Sequence, residues 1–94
     1  MKMAYLLVYN DALGSREDVK RCLNEMDAVI TWRYDLPHSF YVVSEVDART
    51  LADSIRERLG TGRFLIAEIT TNKQGWLPKD TWYLLNNKAD KPKE

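Results

Sequence analysis

Residues Ala4-Tyr5-Leu6-Leu7-Val8-Tyr9 form an unbroken apolar and aromatic run that stops at Asn10-Asp11. The run has the length of a strand, and a strand apolar on both sides has to be covered on both sides. It is therefore expected to be the central strand of a sheet. Its C-terminal end, where Asn10 and Asp11 emerge, is the first place to look for chemistry.

The rest of the chain supplies the partners that such a strand needs. Ser15 followed by Asp18 reads as a capping box, and Val19, Cys22, Leu23 and Met26 then form one helical stripe. Ile30, Trp32 and Tyr34 alternate with Thr31 and Arg33, which predicts a half-buried edge strand over 28–34. Asp35-Leu36-Pro37-His38-Ser39 is a turn, and Phe40-Tyr41-Val42-Val43-Ser44 is a second continuous apolar strand. The short connection makes these two strands a hairpin. Asp47 is the next N-cap, with Ala48, Leu51, Ala52, Ile55 and Leu59 as the helical stripe and Gly60 as a left-handed C-terminal residue. Arg63 to Ile69 is the fourth strand.

Strand, helix, strand, strand, helix, strand predicts an α+β ferredoxin-like sandwich. Its sheet is four-stranded and antiparallel, in the order 4-1-3-2, with two helices on one face. After the polar connector comes Gly75-Trp76-Leu77-Pro78, and the Pro-start rule predicts a short helix from about Lys79 to Asn86. The aromatic and apolar content of Thr81 to Leu85 leaves a fifth strand as the alternative. One domain is expected over 1–87, and the charged, Pro-containing stretch 88–94 is expected to be disordered.

Two helices cover one face only. The first and third strands nevertheless carry large side chains on both faces, and soluble monomers rarely expose a patch of that size. Either the C-terminal segment crosses the open face or a second copy packs on it. A two-fold homodimer is expected, with Tyr5, Leu7, Tyr9, Tyr41, Trp76 and Trp82 at the interface.

Composition removes several function classes. Fourteen basic side chains balance fourteen acidic ones, so no global charge draws the chain to nucleic acid. Arg16, Lys20 and Arg21, with Arg33 nearby, make the local basic strip that could contact phosphates of RNA or DNA, or simply pair with neighbouring acids in solvent. The single cysteine, Cys22, excludes an internal disulfide and is read as a small buried hydrophobe; a cytoplasmic setting is expected. No segment reaches membrane-spanning length, and the apolar run after Lys2 meets acidic Asp11 without a small-residue cleavage pattern, so it is read as a strand and not a leader. His38, the sole histidine, is a candidate for acid–base chemistry, but beside Pro37 it is expected to be an exposed turn residue, and with no second His, Cys or carboxylate cluster accompanying it a zinc site is not expected. Gly60-Thr61-Gly62 lacks the Lys-Ser/Thr of a P-loop.

Tyr5-Leu6-Leu7-Val8-Tyr9-Asn10-Asp11, Phe40-Tyr41-Val42-Val43, Phe64-Leu65-Ile66-Ala67-Glu68-Ile69 and Gly75-Trp76-Leu77-Pro78 also carry a likeness. Over most of residues 3–87 the chain resembles the SinR-like and VapD-like branch of the small ferredoxin-like proteins grouped with the CRISPR spacer-acquisition endonucleases. The resemblance implies a homodimer in which an Asp at the end of the first strand lies near the two-fold axis. It also implies a divalent cation, Mg or Mn, that activates water against a phosphodiester. Here Asn10 stands directly after Tyr9, where that family often has Asp, and Asp11 follows. Carried over, the resemblance makes Asp11 the catalytic metal ligand, assisted by Asn10. Read from the residues alone, Asn10 and Asp11 make an Asx-type turn. A non-catalytic module that assembles with a partner protein is the alternative function.

Overall fold

The computed structural model describes residues 1–92. Strand β1 (Met3–Tyr9) lies between β3 (Ser39–Ser44) and β4 (Phe64–Ile69), and β2 (Val29–Arg33) pairs with the far side of β3, all antiparallel. The order β2-β3-β1-β4 is the expected 4-1-3-2 read from the other edge. Helices α1 (Arg16–Glu25) and α2 (Ala48–Arg58) pack on one face of the sheet, and α3 (Lys79–Asn87) packs on the other. Over the described residues the protein is thus an α+β chain with a four-stranded antiparallel sheet and three helices. Among the described residues no helix is long and apolar enough to cross a membrane.

Pleating divides β1 between two cores. Tyr5, Leu7 and Tyr9 point toward α1 and α2 and meet Phe40, Val42, Val19, Leu23 and Ile55. Ala4 and Leu6 point the other way and join Tyr41, Val43, Leu84 and Leu85. The homodimer assignment of Tyr5, Leu7 and Tyr9 is corrected here. They are 2%, 0% and 6% exposed beneath α1 and α2 and have no surface left for a partner. Tyr41, 4% exposed, is likewise buried within its own chain, beneath α3. The C-terminal segment thus supplies much of the second cover, and the segment is a helix, not a fifth strand.

The helix starts follow the local chemistry. Ser15 accepts from the Asp18 amide at 3.1 Å while the Asp18 carboxylate accepts from the Ser15 amide at 3.0 Å, completing the capping box. Asp47 caps α2 through the Thr50 amide at 2.9 Å. Pro78 is the N-cap of α3 and Lys79 its first helical residue, the expected start, and the helix runs to Asn87, one residue past the expected end. A polar clip holds the start of α3 to the sheet: fully buried Thr81 receives a hydrogen bond from Arg33 Nε at 2.6 Å and donates to Asp35. Further along, Thr31 donates to Asp90 at 2.8 Å and Lys91 pairs with Asp80 at 3.7 Å. The disorder expected over 88–94 also falls on Lys93 and Glu94, which lie outside the described residues.

Two local expectations change. The pairing of β2 with β3 slips between Val29 and Thr31, so Ile30 is the extra residue of a bulge and is 44% exposed instead of sharing a face with Trp32. Gly60 does not take a left-handed φ. It is small because a Cβ there would lie 2.8 Å from the Ala12 carbonyl oxygen, and one on Gly62 would lie 2.0 Å from the Leu13 nitrogen. Both glycines therefore let the β4 approach run against the 10–13 loop.

Two outcomes test this architecture. Leu84→Ala is expected to cost about 2–5 kcal/mol and Leu65→Ala, on the exposed part of β4, less than about 0.5 kcal/mol, measured by urea unfolding. The carboxyls of Asp18 and Asp47 are held below their ordinary value, chiefly by hydrogen bonds with Ser15 and Thr50 respectively. Depressed carboxyl pKa values contribute stability that is present above the unfolded value of about 4 and lost as pH falls through the lower folded value. Urea midpoints should therefore fall with acidification below about pH 4, and Asp47→Asn should flatten that slope.

Candidate functional site

The C-terminal end of β1 is built by three segments. The register Val8↔Ser39 continues so that the Tyr9 amide donates to the His38 carbonyl at 3.0 Å, which brings the β2–β3 turn beside the residues leaving β1. Pro37 precedes His38, and His38 takes a left-handed backbone with φ 57°, uncommon for a non-glycine residue. That turn swings the imidazole over the start of the 10–14 loop. His38 Nε2 lies 2.6 Å from Asp11 Oδ1, with the side chains 50% and 92% exposed. The His38 ring also meets the Tyr9 ring edge-on, with centroids 5.8 Å apart.

Asn10 and Asp11 do not act together. Asn10 Oδ1 accepts from the Arg63 amide at 3.0 Å, and the Asn10 amide donates to the Arg63 carbonyl at 3.0 Å. Asn10 therefore clamps the start of β4 to the end of β1, and its amide oxygen is already engaged. Among the described residues no group of three His, Cys, Asp or Glu side chains converges on a common point. Among the described residues the Asp11 carboxylate meets one imidazole here and belongs to no larger ligand group. This donor set does not fit a hard divalent cation, which takes several oxygens.

The basic strip also divides. Arg16 stacks over Tyr34 at 4.5 Å and Lys20 lies 5.8 Å from the Trp32 centroid, so these two side chains lean on the β2 aromatics. Trp32 further donates from Nε1 to Asn24 at 2.7 Å. Arg21 turns to Asp18 at 3.5 Å on another flank of α1. Arg33 is not near them, contrary to expectation: it alternates with Trp32 on β2, so it points to the opposite face, where it donates to Thr81. What remains at the β1 end is Arg16, Tyr9, Asp11 and His38. The Tyr9 phenol is raised, mainly by burial, with the Arg16 guanidinium partly opposing that rise.

A second surface lies on the α3 face. A groove of about 460 Å³ runs between Leu6, Tyr41, Trp82 and Leu85 on one side and the connector residues Trp76 and Leu77 on the other. Trp76 is 100% exposed and Trp82 forms a half-buried wall. Cys22 is buried at 3% and burial raises its thiol, which makes it an unreactive core residue.

Asp11 was legible as a candidate from its place after an apolar strand. His38 is legible as an exposed turn residue suited to acid–base chemistry; its pairing with Asp11 is not, although the strand order carries the signal: with β1 beside β3, the end of one faces the turn before the other. Compared with known protein families, curated proteins and solved structures, the chain shows no match.

The division of labour between the two adjacent residues is testable by stability. Asn10→Ala is expected to cost about 1–2 kcal/mol in urea unfolding, since it leaves the Arg63 amide without its acceptor, whereas Asp11→Ala should be within about 0.5 kcal/mol of wild type.

Proposed function

We propose that the chain is a cytoplasmic, homodimeric ferredoxin-like protein of the SinR-like and VapD-like kind, associated with nucleic acid, whose Asp11–His38 pair acts on an RNA phosphodiester. The strand order and the two helices on one face support the ferredoxin-like reading. The apolar surface still uncovered on the α3 side, at Val8, Leu65 and Trp76, supports the homodimer. The single observation that carries the chemistry is the 2.6 Å contact between Asp11 and His38.

In this reading the Asp11 carboxylate accepts a hydrogen bond from His38 Nε2–H. That fixes the tautomer and leaves the Nδ1 lone pair as the proton acceptor. In this reading His38 takes the proton of a ribose 2′-hydroxyl, and the oxygen attacks the adjacent phosphorus. The bond to the 5′-oxygen breaks, and that oxygen receives a proton from the imidazolium. The product is a 2′,3′-cyclic phosphate. Asp11 orients the ring and stabilises the imidazolium, and Arg16, against the same Tyr9, supplies positive charge for the phosphate. RNA is the substrate in this scheme because DNA has no 2′-hydroxyl.

The test uses labelled single-stranded RNA and DNA with Mg²⁺, with Mn²⁺ and with chelator. The expected result is RNA cleavage to cyclic-phosphate ends in all three arms, reduced about 10²–10⁴-fold by His38→Ala and by Asp11→Ala while circular dichroism stays unchanged. Intact RNA in every arm, or equal cleavage by the variants, sinks the scheme. Cleavage that appears only with Mg²⁺ or Mn²⁺ and is lost in Asp11→Ala alone returns the site to cation-assisted hydrolysis.

A second reading, a non-catalytic module that assembles with a partner protein, is favoured by one feature. An indole that is entirely bare beside an apolar groove is unusual on a surface with no partner.

A further inference from the structure

The two edges of the sheet are unlike. The β2 edge carries a bulge at Ile30 and is tied by Thr31 to Asp90 of the C-terminal segment. Bulges and covering segments are devices that discourage further pairing. The β4 edge has none of them. Phe64-Leu65-Ile66-Ala67-Glu68-Ile69 contains no proline, lysine or bulge, and no strand among the described residues pairs with its outer side.

The phase of this edge can be read from its inner side. The Asn10 amide donates to the Arg63 carbonyl, and the β1–β4 register runs without a slip from there to Ile69. In an antiparallel ladder, residues that exchange bonds with a neighbour alternate with residues that do not. Residues 63, 65, 67 and 69 therefore turn their backbone groups to β1, and Phe64, Ile66 and Glu68 turn theirs to the open edge. On the side-chain level, Phe64, Ile66 and Glu68 belong to the face of α1 and α2, and Leu65 and Ala67 to the face of α3.

We infer that β4 pairs antiparallel with β4 of a second copy, about a two-fold axis through Ile66, extending the two sheets into one of eight strands. This rests on the homodimer reading and specifies its surface. The register is chosen by charge. With Ile66 on the axis, Phe64 faces the partner's Glu68, and Leu65 faces the partner's Ala67. The Arg56 guanidinium lies 5.1 Å over the Phe64 ring. Each Glu68 thus arrives beside an Arg56 across the junction, twice by symmetry. Neither residue has an ion-pair partner among the described residues. A slip of two residues in one direction places Glu68 opposite Ile66 and away from Arg56; in the other it places Glu68 opposite Gly62, whose carbonyl Arg56 also reaches at 3.3 Å, but Gly62 lies outside β4 and the shared ladder shortens. A slip of one residue sets the helix-covered face of one copy against the α3 face of the other. On the α3 side the same pairing brings Leu65, 64% exposed, against Ala67 of the second copy beside Val8, 42% exposed. An extended segment of a different protein would meet the same backbone groups without the reciprocal Glu68–Arg56 match.

Sedimentation velocity over a concentration series tests the pairing, with amide hydrogen exchange as the second readout. Wild type is expected to dimerise, with the amides of Phe64, Ile66 and Glu68 slowing as the dimer forms. Glu68→Lys should weaken the dimer about tenfold or more by setting two like charges together, and adding Arg56→Glu should restore it. A dimer that ignores both substitutions and leaves those three amides unprotected overturns the β4 pairing while the homodimer stands. A chain that stays monomeric at the highest concentration reached overturns both and leaves the edge to a foreign strand.

Discussion

The rest of the structure depends on a strand that is greasy on both sides at the centre of a four-stranded sheet. Tyr5, Leu7 and Tyr9 cannot face water, and neither can Ala4 and Leu6 behind them. Two layers of cover are therefore obligatory, and the chain makes them differently. The layer of α1 and α2 is a wide apolar core with aromatic side chains of β1, β2 and β3 packed against one another. The layer of α3 is small, and its leading turn is fastened by the Arg33–Thr81–Asp35 clip. Burying a hydroxyl without partners costs stability, and Thr81 has both a donor and an acceptor to meet. The clip therefore fixes where the helix sits, and Leu84 and Leu85 supply the apolar contact.

The same central strand sets the geometry at its end. Because β1 is hydrogen-bonded on both edges, its last residue is held between the β2–β3 turn and the approach to β4. Asn10 is drawn to one side, onto the Arg63 backbone, and Asp11 to the other, onto His38. Two adjacent polar residues with similar side chains thus receive different tasks from their neighbours. This is also why a pair of them does not make one ligand set.

Much of the fold was legible because its signals are local and agree with one another. Ser15 and Asp18, Asp47, and the helical stripes mark α1 and α2 with little ambiguity. The alternation in β1 and β3 marks the two inner strands. The failures have identifiable causes. Ile30 was placed with Trp32 because a bulge depends on pairing with β3, which no window of sequence contains. Gly60 was given a left-handed role because close approach of the 10–13 loop is a tertiary fact. Tyr5, Leu7 and Tyr9 were assigned to a partner because alternation says that a strand has two faces and does not say which one a helix covers. At the candidate site, Asp11 followed from strand position, whereas the Asp11–His38 contact joins residues far apart in the chain and required strand order and register together. Arg33 is expected near the α1 cations in space, and the pleat sends it to the opposite side.

The two covers also arrive in a fixed sequence. All four strands and the first pair of helices precede α3 in the chain, so a polypeptide emerging from the ribosome can assemble the sheet before its second lid has been made. In that interval Ala4, Tyr41 and Val43 lie bare on the two inner strands, a sticky surface that a holdase or a nascent neighbour could recognise. Deletions within the last helix should therefore be felt first as poor yield and inclusion bodies, ahead of any change in what the finished molecule does.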